Sequence, residues 1–529
     1  MDEKTYSDPD VARAINDNLV PVRVDIDRRP DISERYNRGG FPTTAFLSDH
    51  GESIWGATFV PPTDMMRIIR AILKAKESGE IDESLTRSRM ENLGFSIHAR
   101  TEETVDSEQL SRVVEDIFSA YDIEFGGFGT EPKFPHPDVL DLLLVKYIEN
   151  GQVELAEAVV NTLKRMASGL HDVAEGGVFR YSVTRDWQTP RYEKMLETNV
   201  GFLRNLVGTY MTLGGDEFRD LATDISRYLT AYLQDRESGG FYGSQDADEE
   251  YYKLPASSRR KRPAPSVDKT IYSGWNSDAS AVFTLAGSIL GDKEMMRAGE
   301  SSWEYSVKNL WNPGPGLVRH VASDRLYLFE DQVAFFHSLL AQLALSRDAR
   351  KITLAENLIR GVDSAFASDQ GGFNDVMKGK AAIGELGSPR RPLVENSKWA
   401  LYLAQFGSLI HRPKLVDDAR AILNSFGQSE IEAHGVFAAP YIMARWALDR
   451  GITVVEIRQG AERSGFQNRL LTAACAVFSP SIVPTTITSD GMSAPFATVC
   501  TENGCSRRIF DSEELKSLLW SMIVSEKSF

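Results

Sequence analysis

The stretch Leu221–Phe241, LATDISRYLTAYLQDRESGGF, decides the fold. Leu221, Ile225, Leu229 and Leu233 recur every four residues and form one apolar stripe, the pattern of an amphipathic helix packed along one side. The stripe gives way to Asp235 and then Gly239-Gly240-Phe241. A glycine pair permits positive φ at a tight turn, and the apolar residue after it returns the chain to a core.

The same unit recurs along the chain. Asp122 precedes Gly126-Gly127-Phe128, Asp172 precedes Gly176-Gly177-Val178, and Asp369 precedes Gly371-Gly372-Phe373. Weaker copies stand at Gly314-Pro315-Gly316-Leu317 and His434-Gly435-Val436-Phe437. Twelve helical patterns fill residues 108–450: 109–121, 138–148, 152–168, 194–213, 217–235, 278–290, 293–310, 331–346, 351–367, 397–410, 413–426 and 440–449. Six helical hairpins, each with a Gly-Gly turn, predict a closed ring of twelve helices. The alternative is an irregular helical stack whose glycines are ordinary C-caps. Connections are long on the Gly-Gly side and short on the other, and long loops on one rim of a rigid scaffold are where function is expected.

The flanks read differently. Residues 19–26 (LVPVRVDI), 41–47 (FPTTAFL) and 53–60 (SIWGATFV) read as strands, and a helix starts at Thr63 with Met65, Met66, Ile69, Ile72 and Leu73 inward. At the other end, 452–457 and 496–500 read as strands, 466–477 and 512–522 as helices. The expected domains are 1–80, a polar linker at 81–107, the ring at 108–450, and a small α/β segment at 451–529.

Composition excludes several classes. The 529 residues carry 59 Lys+Arg against 75 Asp+Glu, a net charge of −16, which argues against a nucleic-acid or anionic-membrane partner. The start MDEKTYSDPD lacks the basic and apolar regions of a signal peptide, and no apolar run approaches a membrane span. Three cysteines, Cys475, Cys500 and Cys505, exclude a disulfide scaffold and suit a reducing compartment, so a cytoplasmic location is expected. Cys500 and Cys505 lack a second ligand pair for zinc and read as two thiols near a strand end. Arg259–Arg262 reads as a solvated loop.

Walker A, HExxH, GxSxG and dinucleotide signatures are absent. Polar and aromatic residues gather instead on the Gly-Gly rim. Glu193, Asp246, Asp248 and Asp331 are the candidate acid/base groups. Lys133, Arg180, Lys194 and Asn276 are candidate orienting groups, with Tyr181, Trp187 and Trp275 as binding surfaces. Carboxylates beside aromatic faces suit a polyhydroxylated ligand. Glu330, Glu395, Asp375, His136, His171, His320 and His434 share the rim, whereas Asp172, Asp235 and Asp369 belong to the repeated turn, and His337 is expected to pack within its helix. No histidine has a metal-ligand neighbour at short spacing, so neither metal nor cofactor is expected.

Several motifs together carry a resemblance: DVARAINDNLVPVRVDIDRRPDI (10–32), GGFPTTAFL (39–47), GGFGTEPKFPHP (126–137), YEKMLETN (192–199), GGFYGSQDADEE (239–250), FEDQVAF (329–335) and ATVCTENGCSRRIFDSEEL (497–515). The chain resembles the DUF255 family of thioredoxin domain-containing proteins, of the spermatogenesis-associated protein 20 type. The resemblance implies a multidomain chain: a truncated thioredoxin-like α/β domain, an all-α (α/α)6 toroid of the six-hairpin glycosidase type, and the C-terminal α/β segment. It also implies that a Cys-x-x-Cys segment precedes the part matched by residues 5–32, and that Pro42 is the family's cis-proline. This chain has no cysteine before Cys475. Tyr192 stands where the family has His, Glu197-Thr198 where it has Tyr-Asp, and Glu395-Asn396-Ser397 replaces a Gly-Asn-Ser region.

The expected function is action on, or binding of, a small carbohydrate, of hydrolase or epimerase type. A non-catalytic scaffold derived from that fold is the first alternative. A thiol–disulfide oxidoreductase is the second, and it requires an upstream Cys-x-x-Cys segment.

Overall fold

The computed structural model describes residues 1–81, 107–377, 383–459, 469–488 and 494–524. The expected linker falls almost entirely outside these residues. The chain forms two compact units, 1–102 with 375–390, and 103–374 with 391–529.

In the first unit, α1 (Pro9–Asn18) starts where the Asp8 carboxylate accepts the amides of Asp10 and Val11. It buries Val11 against Met65 and Ile69 of the helix Pro62–Glu77, which is α3 after α2 (Pro30–Tyr36). Strands β1 (Thr44–Leu47) and β2 (Ser53–Ala57) pair antiparallel, with Phe46 opposite Trp55. The Phe41–Pro42 peptide is cis, and the ladder begins two residues later because proline has no amide to donate. The strand expected at 19–26 does not form. Its alternation is present, but no ladder partner lies beside it among the described residues, and Val20 and Val22 are 89% and 76% exposed.

The segment 375–390 joins this unit through Arg35, which is 3% exposed. Its guanidinium binds Asp375 at 2.7 Å and the carbonyls of Asp31, Glu385 and Ser388 at 3.0–3.1 Å. Asp375 is therefore an anchor within this unit, whereas the sequence placed it on the ring's rim.

The second unit contains the ring. Its inner helices are α5 (Pro137–Asn150), α7 (Leu196–Leu213), α9 (Ser273–Leu290), α11 (Phe329–Leu345), α13 (Leu393–Leu409) and α15 (Ala439–Arg450). Each packs on the next, and α15 packs back on α5, which closes the circle. The outer helices are α4 (Ser107–Ser119), α6 (Val153–Leu170), α8 (Asp216–Tyr228), α10 (Lys293–Tyr305), α12 (Ala349–Phe366) and α14 (Pro413–Asn424). Inner helices are apolar almost all round and outer ones are striped, as their two environments require. The result is an (α/α)6 toroid.

The Gly-Gly rim is built by repetition. Asp122, Asp172 and Asp235 each donate their amide to the carbonyl five residues on and accept the amide four residues on. Gly177 has φ of +74°, and a Cβ there would lie 2.4 Å from the Tyr228 ring, so the site admits only glycine. An amide side chain on the next inner helix then grips the following residue. Asn199 bonds both N–H and C=O of Val178, Asn276 those of Phe241, Gln332 those of Val318, and Asn396 those of Phe373. Each clamp substitutes for one rung of a β-ladder.

After the ring, β3 (Thr453–Gln459), β4 (Ile482–Thr488), β5 (Phe496–Thr501) and β6 (Gly504–Cys505) form a sheet in the order β6-β5-β3-β4, with β3 and β4 parallel. Strand β4 is absent from the sequence expectation because Pro484 interrupts its pattern, which an edge strand tolerates. Thr485 and Thr486 donate their hydroxyls to the carbonyls of Leu343 and Ala344 at the end of α11. The helix expected at 466–477 is described from Arg469 to Cys475 (α16), and α17 (Ser512–Ile523) packs on it.

Candidate functional site

The first turns of the inner helices open onto the long-loop rim. Glu197 stands in the first turn of α7, Glu330 and Asp331 in that of α11, and Glu395 in that of α13. Each acid lies one or two residues before the amide clamp, so the packing that seats Asn199, Gln332 and Asn396 also positions the acids.

Asp331 is 1% exposed. One carboxylate oxygen lies 3.0 Å from His320 Nδ1, and the other accepts the Gly274 amide at 2.8 Å. Glu330 differs: it is exposed to solvent. Desolvation pushes its carboxyl well above the ordinary carboxylate range, and the charges of Asp331, Glu395 and Glu197 push the same way, against His320. Donor atoms of His320, Glu330 and Asp331 all lie within 4.8 Å of one another. That spacing would admit a cation, and the 3.0 Å His320–Asp331 contact ties two of the three groups together. Trp275, next to Gly274, is partly exposed, and its ring lies 4.7 Å from Tyr272.

Deeper in the lumen, Asp138 of α5 binds Arg204 of α7 at 2.6 Å and Lys398 of α13 at 2.9 Å. Arg204 also meets Asp141 at 2.8 Å. The two cations hold the Asp138 carboxyl well below its usual range despite burial, whereas burial raises that of Asp141. His337, expected to pack within its helix, instead has Nδ1 3.1 Å from Asp278 and its ring stacked on Tyr402. At the lip, His136 caps α5 with φ of +45°, its ring edge is 5.4 Å from Phe437, and burial lowers its pKa.

The other residues singled out from sequence lie elsewhere. Lys133 is fully buried on Asp122 at 2.6 Å, with Trp187 alongside; the Trp187 indole is itself buried and donates to the Phe125 carbonyl. Lys194 is fully buried on Asp172 at 2.7 Å, and burial pulls its pKa down against the pull of that carboxylate. Arg259 completes this second cluster at 2.6 Å from Asp172, so the first residue of the basic run is a buried anchor, not a solvated one. Asn276 is a rim clamp. Arg180 pairs with Glu193 at 2.8 Å, and Tyr181 stacks on Phe134 at 4.7 Å. Asp246 and Asp248 are exposed on a shallow depression beside Pro263–Ser266, where Asp248 caps a short helix and Asp246 accepts the Ala247 amide. Of the candidates, Asp331 and Trp275 stand in first turns of inner helices, beside Glu330, Glu395 and His320, which the sequence placed on the rim without a role, and Glu197, which it did not place there. The missed signal was an acid one or two residues ahead of three of the four clamp amides, Asn199, Gln332 and Asn396.

With this geometry in view, comparison with known proteins gives one family. Residues 1–88 match the family described as "Protein of unknown function, DUF255". That part of the chain is thioredoxin-like. The chain is similar to spermatogenesis-associated protein 20 of Mus musculus, 28% identical over 272 residues, which are 47% of this chain and 34% of that protein. The Homo sapiens protein is 29% identical over 273 residues with the same shares. The matched part spans about a third of the length of these DUF255 relatives. Among solved structures, a sugar epimerase from a ruminal bacterium overlays 59% of this chain and 85% of its own, with a TM-score of 0.48 and 13% identity. A glycoside hydrolase family 76 mannosidase from Bacteroides thetaiotaomicron overlays 64% and 97%, with a TM-score of 0.48 and 10% identity. No helix among the described residues is long and apolar enough to cross a membrane.

Proposed function

We propose that the toroid mouth is an acid/base site for a small carbohydrate, with Glu330 as proton donor. The observation that carries this reading is the cluster of His320, Glu330 and Asp331, whose donor atoms lie within 4.8 Å of one another, with desolvation and the charges of Asp331, Glu395 and Glu197 acting to raise the Glu330 carboxyl. A carboxylic acid kept neutral near pH 7 can protonate a glycosidic or ring oxygen, while an ionised carboxylate nearby activates water or removes a proton from carbon. In this reading Glu197 and Glu395 take the base role. Asp331 fixes the His320 ring beside the donor, and Trp275 offers an indole face for a sugar ring. The Asp138–Arg204–Lys398 network ties three inner helices together beside this site.

This reading moves the acid/base role from Glu193, Asp246 and Asp248 to Glu330 and its neighbours, and retains Asp331 as the residue that orients His320. A cytoplasmic location goes with it as part of the proposal. A thermal-shift panel of hexoses and disaccharides, followed by proton NMR of any sugar that binds, tests it. Binding with conversion that is lost in Glu330→Gln supports the enzyme. Binding without conversion supports a non-catalytic carbohydrate-binding protein. No binding by any sugar contradicts both.

A further inference from the structure

The structure joins two of the chain's three cysteines, Cys500 and Cys505, in a disulfide. They are direct cross-strand partners in the β5–β6 ladder, at the outer edge of the C-terminal sheet. Their surroundings are unequal. Cys500 is 7% exposed, whereas Cys505 is open to solvent on a strand of two residues.

The bond has little structural work to do. It closes a sequence separation of five, and short loops gain least from cross-linking. The register it spans is already held by backbone bonds. The Ser506 amide donates to the Val499 carbonyl at 2.8 Å, and Ala497 and Ile509 exchange two bonds of 2.8 Å. The third cysteine does not compete, because burial pushes the Cys475 thiol up to about 12 and so keeps it from forming the nucleophilic thiolate.

We propose that Cys500–Cys505 is a thiol–disulfide exchange site that accepts electrons from a dithiol. The thiolate of the incoming dithiol attacks the exposed Cys505 Sγ. The Cys500–Cys505 bond breaks, and Cys500 leaves as a thiolate that takes up a proton. The second thiol of the reductant then attacks its own sulfur in the mixed disulfide, which releases Cys505 as a thiol. Two electrons and two protons pass to the pair, and the dithiol becomes a disulfide. The site lies in the C-terminal sheet and does not depend on any cysteine in the thioredoxin-like unit.

The test is a count of maleimide-reactive thiols by mass, on the native full chain, after exposure to dithiothreitol, reduced thioredoxin or glutathione. Dithiols are expected to release two thiols while the far-ultraviolet circular dichroism stays unchanged. Faster release by thioredoxin than by dithiothreitol at equal thiol concentration identifies a protein donor, and equal rates a small one. The intact Cys500–Cys505 pair is expected to form a mixed disulfide through Cys505 with a reduced thioredoxin lacking its second cysteine, Cys500 being released as a thiol. Release only after unfolding in urea, or two thiols already free in air-exposed protein, overturns the proposal. So does a large loss of thermal stability in the Cys500→Ser/Cys505→Ser double variant, which would mark the bond as a structural staple.

Discussion

Asp331 Oδ2 lies 3.0 Å from His320 Nδ1, and this contact sets two adjacent acids to opposite uses. Asp331 spends both oxygens inside the protein, on His320 and on the Gly274 amide. Glu330, one residue earlier on α11, reaches solvent, and desolvation together with the neighbouring carboxylates acts to raise its carboxyl.

Asp331→Ala removes one partner of the buried His320 imidazole and the acceptor of the Gly274 amide. A buried group that loses a hydrogen-bond partner costs about 1–3 kcal/mol, so a loss of about 3 kcal/mol is expected in urea unfolding. Asp331→Asn retains an oxygen for one of the two partners and should lose about half as much. Equal losses in the two variants would show that the carboxylate does not hold His320.

Glu330 makes stability depend on pH with a definite sign. Its folded pKa is raised, so the unfolded chain releases the proton first as pH climbs. Its stabilising contribution is complete below the ordinary carboxylate range and is lost as pH rises through the folded value. Glu330→Gln cannot ionise and should melt progressively higher than wild type as pH rises above the ordinary carboxylate range. Parallel melting curves across that range would show that the Glu330 carboxyl is not raised.

The buried Lys194–Asp172–Arg259 cluster fastens the loop carrying Arg259 to the second Gly-Gly turn. Replacing one member of a buried ion cluster leaves uncompensated charge. Lys194→Met should therefore cost about 3–5 kcal/mol in urea denaturation, whereas Arg262→Ala, in the exposed part of the same run, should cost under about 0.5 kcal/mol. Similar small effects at both positions would contradict the anchor.

The amide clamps yield a prediction about folding alone. Asn276→Ala strands both backbone groups of Phe241 in the interior, with an expected cost of about 2–4 kcal/mol. Asn276→Asp keeps the acceptor for the Phe241 amide but loses the donor for its carbonyl, and should remain clearly destabilised. A near-neutral Asn276→Ala would remove the clamp from the account.

The ring was legible in the sequence because it repeats. A stripe such as Leu221–Leu233 and a glycine pair such as Gly176-Gly177 are local signals, and each is set by its own sterics. The mouth was less legible, because Glu197, Glu330 and Glu395 lie on three helices that only ring closure brings together. Lys133, Lys194 and Asn276 misled for a related reason. Polar residues on a rim look available for a ligand, and nothing local reveals that Asp122, Asp172 and Phe241 already hold them. The segment 375–390 was invisible as part of the first unit because its tie to Arg35 spans 340 residues of sequence.

The central claim is that a carbohydrate binds in the mouth beside Glu330, and saturation-transfer NMR of sugars with the full chain tests it most directly. The account predicts that at least one hexose or disaccharide receives saturation from the wild-type protein, and that Trp275→Ala and Glu330→Gln each weaken the transfer. Sugar signals that stay dark throughout the panel, or a transfer that survives both substitutions together, would contradict it.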